Sequence, residues 1–105
     1  MSVAALLAFL AMTIAGHPVQ VICSNDAPPE IRAVPNWVGC APIGKPVVHL
    51  RPRECVLASR GVYWSLFVLA HEVGHSLGLK TEKGADRYAR SRTPVLVLQW
   101  RHMSR

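Results

Sequence analysis

The chain has 105 residues, half of them hydrophobic, and a formal net charge of +6. This length holds one domain around one small core and excludes a multidomain enzyme; a core of that size gains from a bound metal or a disulfide. The excess charge lies wholly in residues 51–105, because Arg32 and Lys45 are offset by Asp26 and Glu30 in the first half, and its arginines are spread without aromatic interleaving or a reading helix, so a solvated basic face is expected rather than nucleic-acid binding.

Residues 3–15, VAALLAFLAMTIA, form an apolar run of signal-peptide length, shorter than the about 20 residues that a membrane span needs. No Lys or Arg precedes it, and Thr13 and Ala15 supply small residues before a cut at Gly16. Residues 1–16 are therefore expected to be a signal peptide or an N-terminal membrane anchor, which places the protein outside the cell or on a membrane, with residues 17–105 as the folded domain. The competing reading is a buried N-terminal helix. Cys23, Cys40 and Cys55 are too widely spaced for a zinc knuckle. An exported chain would hold one disulfide, Cys23 with either Cys40 or Cys55, and a cytosolic chain would keep all three reduced.

Further along, Val19–Cys23 alternates as a strand does. Pro28, Pro29 and Pro35 break regular structure after it. NWVGC reads as a short strand and KPVVHL as a better one, β-branched and bounded by Gly44 and Pro52. RECVLAS reads as a short helix. A longer helix is expected from Val62 or Tyr63 to Leu77, with Gly78 as its left-handed stop. At 100° per residue Leu66, Leu69, Ala70, Val73 and Leu77 form its core face, while His71, Glu72 and His75 lie opposite. Gly74 suits a place where another segment passes close by. A second helix is expected to start after Thr81 as N-cap and to end near Arg92, before Pro94; Glu82, Ala85, Asp86 and Ala89 share one of its faces, small enough to pack against the first helix. The tail PVLVLQWRHMSR fits a strand or a helix. The fold class is α+β: a small sheet, a histidine-bearing helix and a carboxylate-bearing helix.

The stretch LAHEVGHSLGL carries the chemistry. Histidines at i and i+4 set two imidazoles on one side of a helix, one turn apart, where both can reach a single Zn²⁺. Glu72, next to the first of them, can accept a proton from a zinc-activated water. Three polar side chains buried without such a use would cost several kcal/mol, on the order of a lost hydrogen bond or more for each.

With these residues in view, VLAHEVGHSLGL resembles the active-site helix of zincin metallopeptidases, and TEKGADRYA resembles the E-x-x-A-D segment of the gluzincin branch; short peptidases of bacterial and bacteriophage type have a similar layout over about residues 17–92. The metzincin pattern fails, since Thr81 stands where a third histidine would be. The gluzincin resemblance implies a minimal zincin-like domain with His71, His75 and Glu82 as zinc ligands, Glu72 as general base, and Asp86 orienting a ligand histidine through its outer nitrogen. The reverse assignment, Asp86 as ligand in the manner of aspzincins, stays open because an antiparallel second helix would bring Asp86 nearer to His75. A helix-start carboxylate stabilised by the helix dipole is an ordinary role for Glu82 that is compatible with either.

The function expected is a zinc-dependent metallopeptidase acting on peptides or proteins. Its rivals are a non-catalytic protein stabilised by zinc, and a basic membrane-associated accessory protein anchored by its first residues. The substrate would lie along an edge strand, for which Val47–Leu50 is the candidate. His49 or Tyr88 would stabilise the oxyanion, against the commoner packing or surface role for each.

Overall fold

The computed structural model describes residues 1–26, 28–29 and 36–104. Among them are four helices, α1 (Val3–Ala15), α2 (Pro52–Ser59), α3 (Tyr63–Ser76) and α4 (Glu82–Met103), and three short strands, β1 (Gln20–Cys23), β2 (Gly39–Cys40) and β3 (Val47–Leu50). The class is α+β, as expected. The sheet order is β1-β3-β2, with β1 parallel and β2 antiparallel to β3. This order corrects the edge-strand expectation. Val47–Leu50 is the central strand, paired with β1 along its length and with β2 at His49 and Leu50, and the edge strand packed on α3 beside Glu72 is β2. Of NWVGC, only Gly39 and Cys40 are strand.

The core is assembled around α3, which touches α1, α2, α4, β2 and β3. Leu66, Leu69, Ala70 and Val73 are fully buried, meeting Val48 and Leu50 from the sheet and Ala58 from α2 within one cluster. Leu77 departs from the helical-wheel expectation: it is the C-cap residue, where the chain turns away, and it is exposed. The stop itself is a Schellman turn. Gly78 adopts φ +110°, its N–H bonds to the His75 carbonyl at 3.0 Å, and the Leu79 N–H bonds to the Gly74 carbonyl at 3.1 Å. At Gly74 a Cβ would lie 3.2 Å from Tyr88 Cδ2 and 3.5 Å from Ala85 Cα, so the expected close passage is that of α4.

Helix α4 is capped by the Thr81 side chain, which accepts from the Gly84 N–H at 2.9 Å, and it runs straight through Pro94. The expected end before Pro94 is thus wrong by nearly three turns. A proline inside a helix removes one donor, here the partner of the Arg90 carbonyl, at about 3 kcal/mol. What offsets this is apolar packing: Leu96 is buried, Val97, Trp100 and Met103 lie against the core cluster, and the Trp100 indole N–H donates to the Ser59 carbonyl at 2.9 Å. Thr93, just before the proline, turns its hydroxyl back to the Ala89 carbonyl at 2.6 Å.

Residues 1–16 belong to the packed body. Ser2 caps α1, Gly16 ends it, and Leu7, Leu10 and Ala11 are fully buried against the rest of the core. Among the described residues no helix is long and apolar enough to cross a membrane. A disulfide joins Cys23, at the end of β1, to Cys55 in α2, which resolves the open pairing and clamps the sheet to the helix that precedes α3. In the chain-entropy view a cross-link over 32 residues stabilises by about 4 kcal/mol.

Candidate metal centre

The site forms where the last two turns of α3 face the first two of α4. The histidines of α3 stand one turn apart with ring centroids at 4.9 Å and planes edge to face. Glu82 and Asp86, also one turn apart, reach them from α4 across the small Ala85 and Ala89, both fully buried.

Each ring is held at both nitrogens. His71 Nδ1 lies 2.7 Å from Asp86 Oδ1 and its Nε2 lies 2.9 Å from Glu82 Oε2. His75 Nδ1 lies 2.7 Å from the Leu79 carbonyl oxygen, and its Nε2 lies 2.8 Å from Glu82 Oε1. Both Nε2 atoms therefore converge on one carboxylate. The Leu79 carbonyl can only accept, so His75 Nδ1 carries a proton, and an ionised Asp86 imposes the same on His71.

With both imidazoles neutral, the contacts outnumber the ring protons. Four acceptors face the two rings, whereas two neutral imidazoles bring two N–H groups. With both outer nitrogens protonated, each Nε2 turns a lone pair toward a Glu82 oxygen. Two further protons would give two imidazolium rings with centroids 4.9 Å apart, facing the Glu82 and Asp86 carboxylates. His71 Nε2, His75 Nε2 and the Glu82 carboxylate would together offer a divalent cation two lone pairs and a negative charge. The donor set of two imidazoles and a carboxylate, with outer nitrogens oriented by a carboxylate and a backbone carbonyl, fits such an ion.

Glu72 sits beside this cluster in a different setting. It is 7% exposed, and its carboxyl is raised from 4.5 to about 7, chiefly by burial; the two histidines work against the shift and Glu82 adds to it. Ligand atoms of His71, Glu72 and His75 lie within 4.8 Å of one another. Glu82 has the opposite exposure, with 79% of its side chain accessible. The two carboxylates thus differ: Glu82 is exposed and met by both rings, whereas burial raises the proton affinity of Glu72. Edge strand β2 lies over Glu72: a Cβ at Gly39 would meet Glu72 Cγ at 3.2 Å.

The structure brings together His71, Glu72, His75, Glu82 and Asp86. Two other sequence candidates fall elsewhere. His49 alternates with Val48 and Leu50 on β3, and since Leu50 points toward Gly39 and Glu72, His49 lies on the opposite face of the sheet. The Tyr88 hydroxyl donates to the Ile14 carbonyl at 3.3 Å, tying α4 to α1, and burial raises its pKa. Neither is positioned to meet an oxyanion at the histidines.

Sequence reasoning missed the Leu79 carbonyl, although Gly78 as a stop already implied a turn that aims the next carbonyl back at the last helical turn. It also missed a cleft of about 410 Å³ beside His71 and Glu72, walled by Trp37, Trp64, Phe67 and Val68. A smaller hollow of about 290 Å³ on the other side is lined by Cys40, Ala41, Ile43, His75 and Lys80. Comparison of the chain with protein families, with curated proteins and with solved structures finds no match.

Proposed function

We propose that this protein is a zinc-dependent metallopeptidase in which His71, His75 and Glu82 hold the ion and Glu72 is the general base. The observation that carries the reading is the convergence of His71 Nε2 and His75 Nε2 on the two oxygens of Glu82 while both outer ring nitrogens are engaged. The resemblance of the two helices to gluzincin segments supports the same assignment, and so does the cleft, which a purely structural metal site would not need.

Zinc bound there supplies Lewis acidity, which polarises a peptide carbonyl and makes water a better acid. The chain's own residues do the rest. Asp86 and the Leu79 carbonyl fix the ring orientations, so that the Nε2 lone pairs face inward. Glu72, buried and with a raised proton affinity, takes a proton from the attacking water near neutral pH. The water oxygen bonds to the carbonyl carbon, the C–N bond breaks, and Glu72 passes the proton to the departing nitrogen. Water is the only co-reactant.

Metal content and cleavage of a generic peptide substrate, measured together on three proteins, test this. The wild type should carry one zinc and cleave; Glu72→Gln should keep the zinc and lose cleavage; His71→Ala should lose both. Undiminished cleavage by Glu72→Gln would refute the base assignment.

A further inference from the structure

The larger cleft and the smaller hollow share Gly39, Glu72 and Glu82 in their linings, so two unlike lobes adjoin at the proposed metal centre. We infer that the larger lobe is a subsite for a bulky apolar side chain next to the scissile bond, which makes the substrates peptides carrying an aromatic or long aliphatic residue at that position. The inference rests on the metallopeptidase reading and adds to it the class of peptide accepted.

Three rings shape this lobe. Trp64 and Phe67, one turn apart on α3, stack with centroids at 5.2 Å and planes 7° apart, giving a flat wall. Trp37 lies on the strand side, its ring held by the Arg51 guanidinium 4.8 Å away. The wall is not satisfied within the fold: Trp64 is 63% exposed. Large apolar surface left in water next to a polar centre marks a binding surface, and rigid aromatic rings lose little entropy in forming one. Among the described residues, no Trp, Phe or Tyr lines the opposite lobe. Its lining includes the short Ala41 and Cys40, Ile43 and the cationic Lys80. A large apolar side chain gains contact only in the first lobe. Between the lobes, the absence of a side chain at Gly39 lets strand β2 pack directly on Leu50 and Glu72.

The test uses zinc-loaded protein and fluorogenic peptides that are identical apart from one position, Phe or Ala, moved stepwise across the cleavage site. At one position Phe should raise kcat/KM over Ala by about 100-fold, the order that a hydrophobic pocket supplies. Trp64→Ala, with zinc content equal to wild type, should lower that Phe-to-Ala ratio at least tenfold. Cleavage with no such preference, or a preference that Trp64→Ala leaves intact, overturns the inference while the peptidase reading stands. If no peptide is cleaved, the peptidase reading is the one that fails. The subsite is then judged by equilibrium binding of the same two peptides to zinc-loaded Glu72→Gln: tighter binding of the Phe peptide supports it, and equal binding overturns it.

Discussion

His75 meets Glu82 with the one ring nitrogen left to it: Nε2 is 2.8 Å from Oε1, while Nδ1 is committed to the Leu79 carbonyl at 2.7 Å. The same carboxylate reaches His71 through its other oxygen, so Glu82 is the group through which both rings see a common partner. Asp86 touches only the outer nitrogen of His71.

From this asymmetry Glu82→Ala should weaken zinc binding more than Asp86→Asn does. The loss for Asp86→Asn is expected at about 10- to 100-fold, as for other partners that orient a ligand histidine. Competition against a chromophoric chelator at fixed pH measures both. A larger loss in Asp86→Asn would transfer the ligand role to Asp86.

The metal-free protein should lose stability as pH rises through the range set by Glu72. Its carboxyl is raised from 4.5 to about 7 in the fold, so between these values the native state keeps a proton that the unfolded chain has released, and stability falls with rising pH. Below 4.5 both states are protonated and the effect vanishes; above 7 it is complete, at about 3 kcal/mol. Glu72→Gln should lack this slope, matching the wild type near pH 4.5 and exceeding it near pH 8. Urea unfolding at a series of pH values, with chelator present, shows whether the two curves diverge in this direction.

Gly39→Ala should separate metal binding from turnover. The added methyl would fall 2.8 Å from Leu50 Cδ2, 3.2 Å from Glu72 Cγ and 3.2 Å from the His49 carbonyl, so the strand or the glutamate must move. Overpacking of this kind costs about 1 to 3 kcal/mol. Zinc stoichiometry should persist while kcat drops; an unchanged kcat would show that Glu72 tolerates the displacement.

Removing residues 1–16 should destabilise the fold, because Leu7 and Leu10 leave the core with them. The single change Leu10→Ala alone should cost about 2 to 5 kcal/mol. Thermal unfolding of the full chain, of Leu10→Ala and of the shortened chain decides the matter. An equally stable shortened chain would show that the segment is dispensable, as an export signal is.

The Cys23–Cys55 bond should appear as a linked peptide pair in a non-reducing digest, and reduction should lower the unfolding midpoint. The expected loss is about 4 kcal/mol in the chain-entropy view.

How much of this was legible in the sequence depends on the range of the forces involved. Helix α3 and its stop are local matters: the spacing of Leu66, Leu69, Ala70 and Val73 gives the core face, and Gly78 gives the turn. The pairing of Glu82 and Asp86 with the histidines is nearly local, since a five-residue link, 77–81, returns the chain to the same helix. Strand order is different. Whether Val47–Leu50 sits at the centre or the edge is decided by β1 and β2 arriving from distant positions, and nothing in KPVVHL records that. The passage of α4 through Pro94 was hidden because a strong local rule was overruled by tertiary burial, although Thr93, Leu96, Val97, Trp100 and Met103 do keep a helical spacing. The aromatic lobe was invisible for a related reason: Trp37 and Trp64 are 27 positions apart and meet only once the sheet is laid on α3.

The Schellman turn has one more effect. The oxygen that orients His75 is main chain, so no side-chain replacement at Leu79 can delete it, and the ring angle is inherited from the way α3 terminates. A β-branched residue at position 78 would resist φ +110°, swing that oxygen aside and detune the imidazole from a distance. Metal affinity here is, in part, a property of how a helix ends.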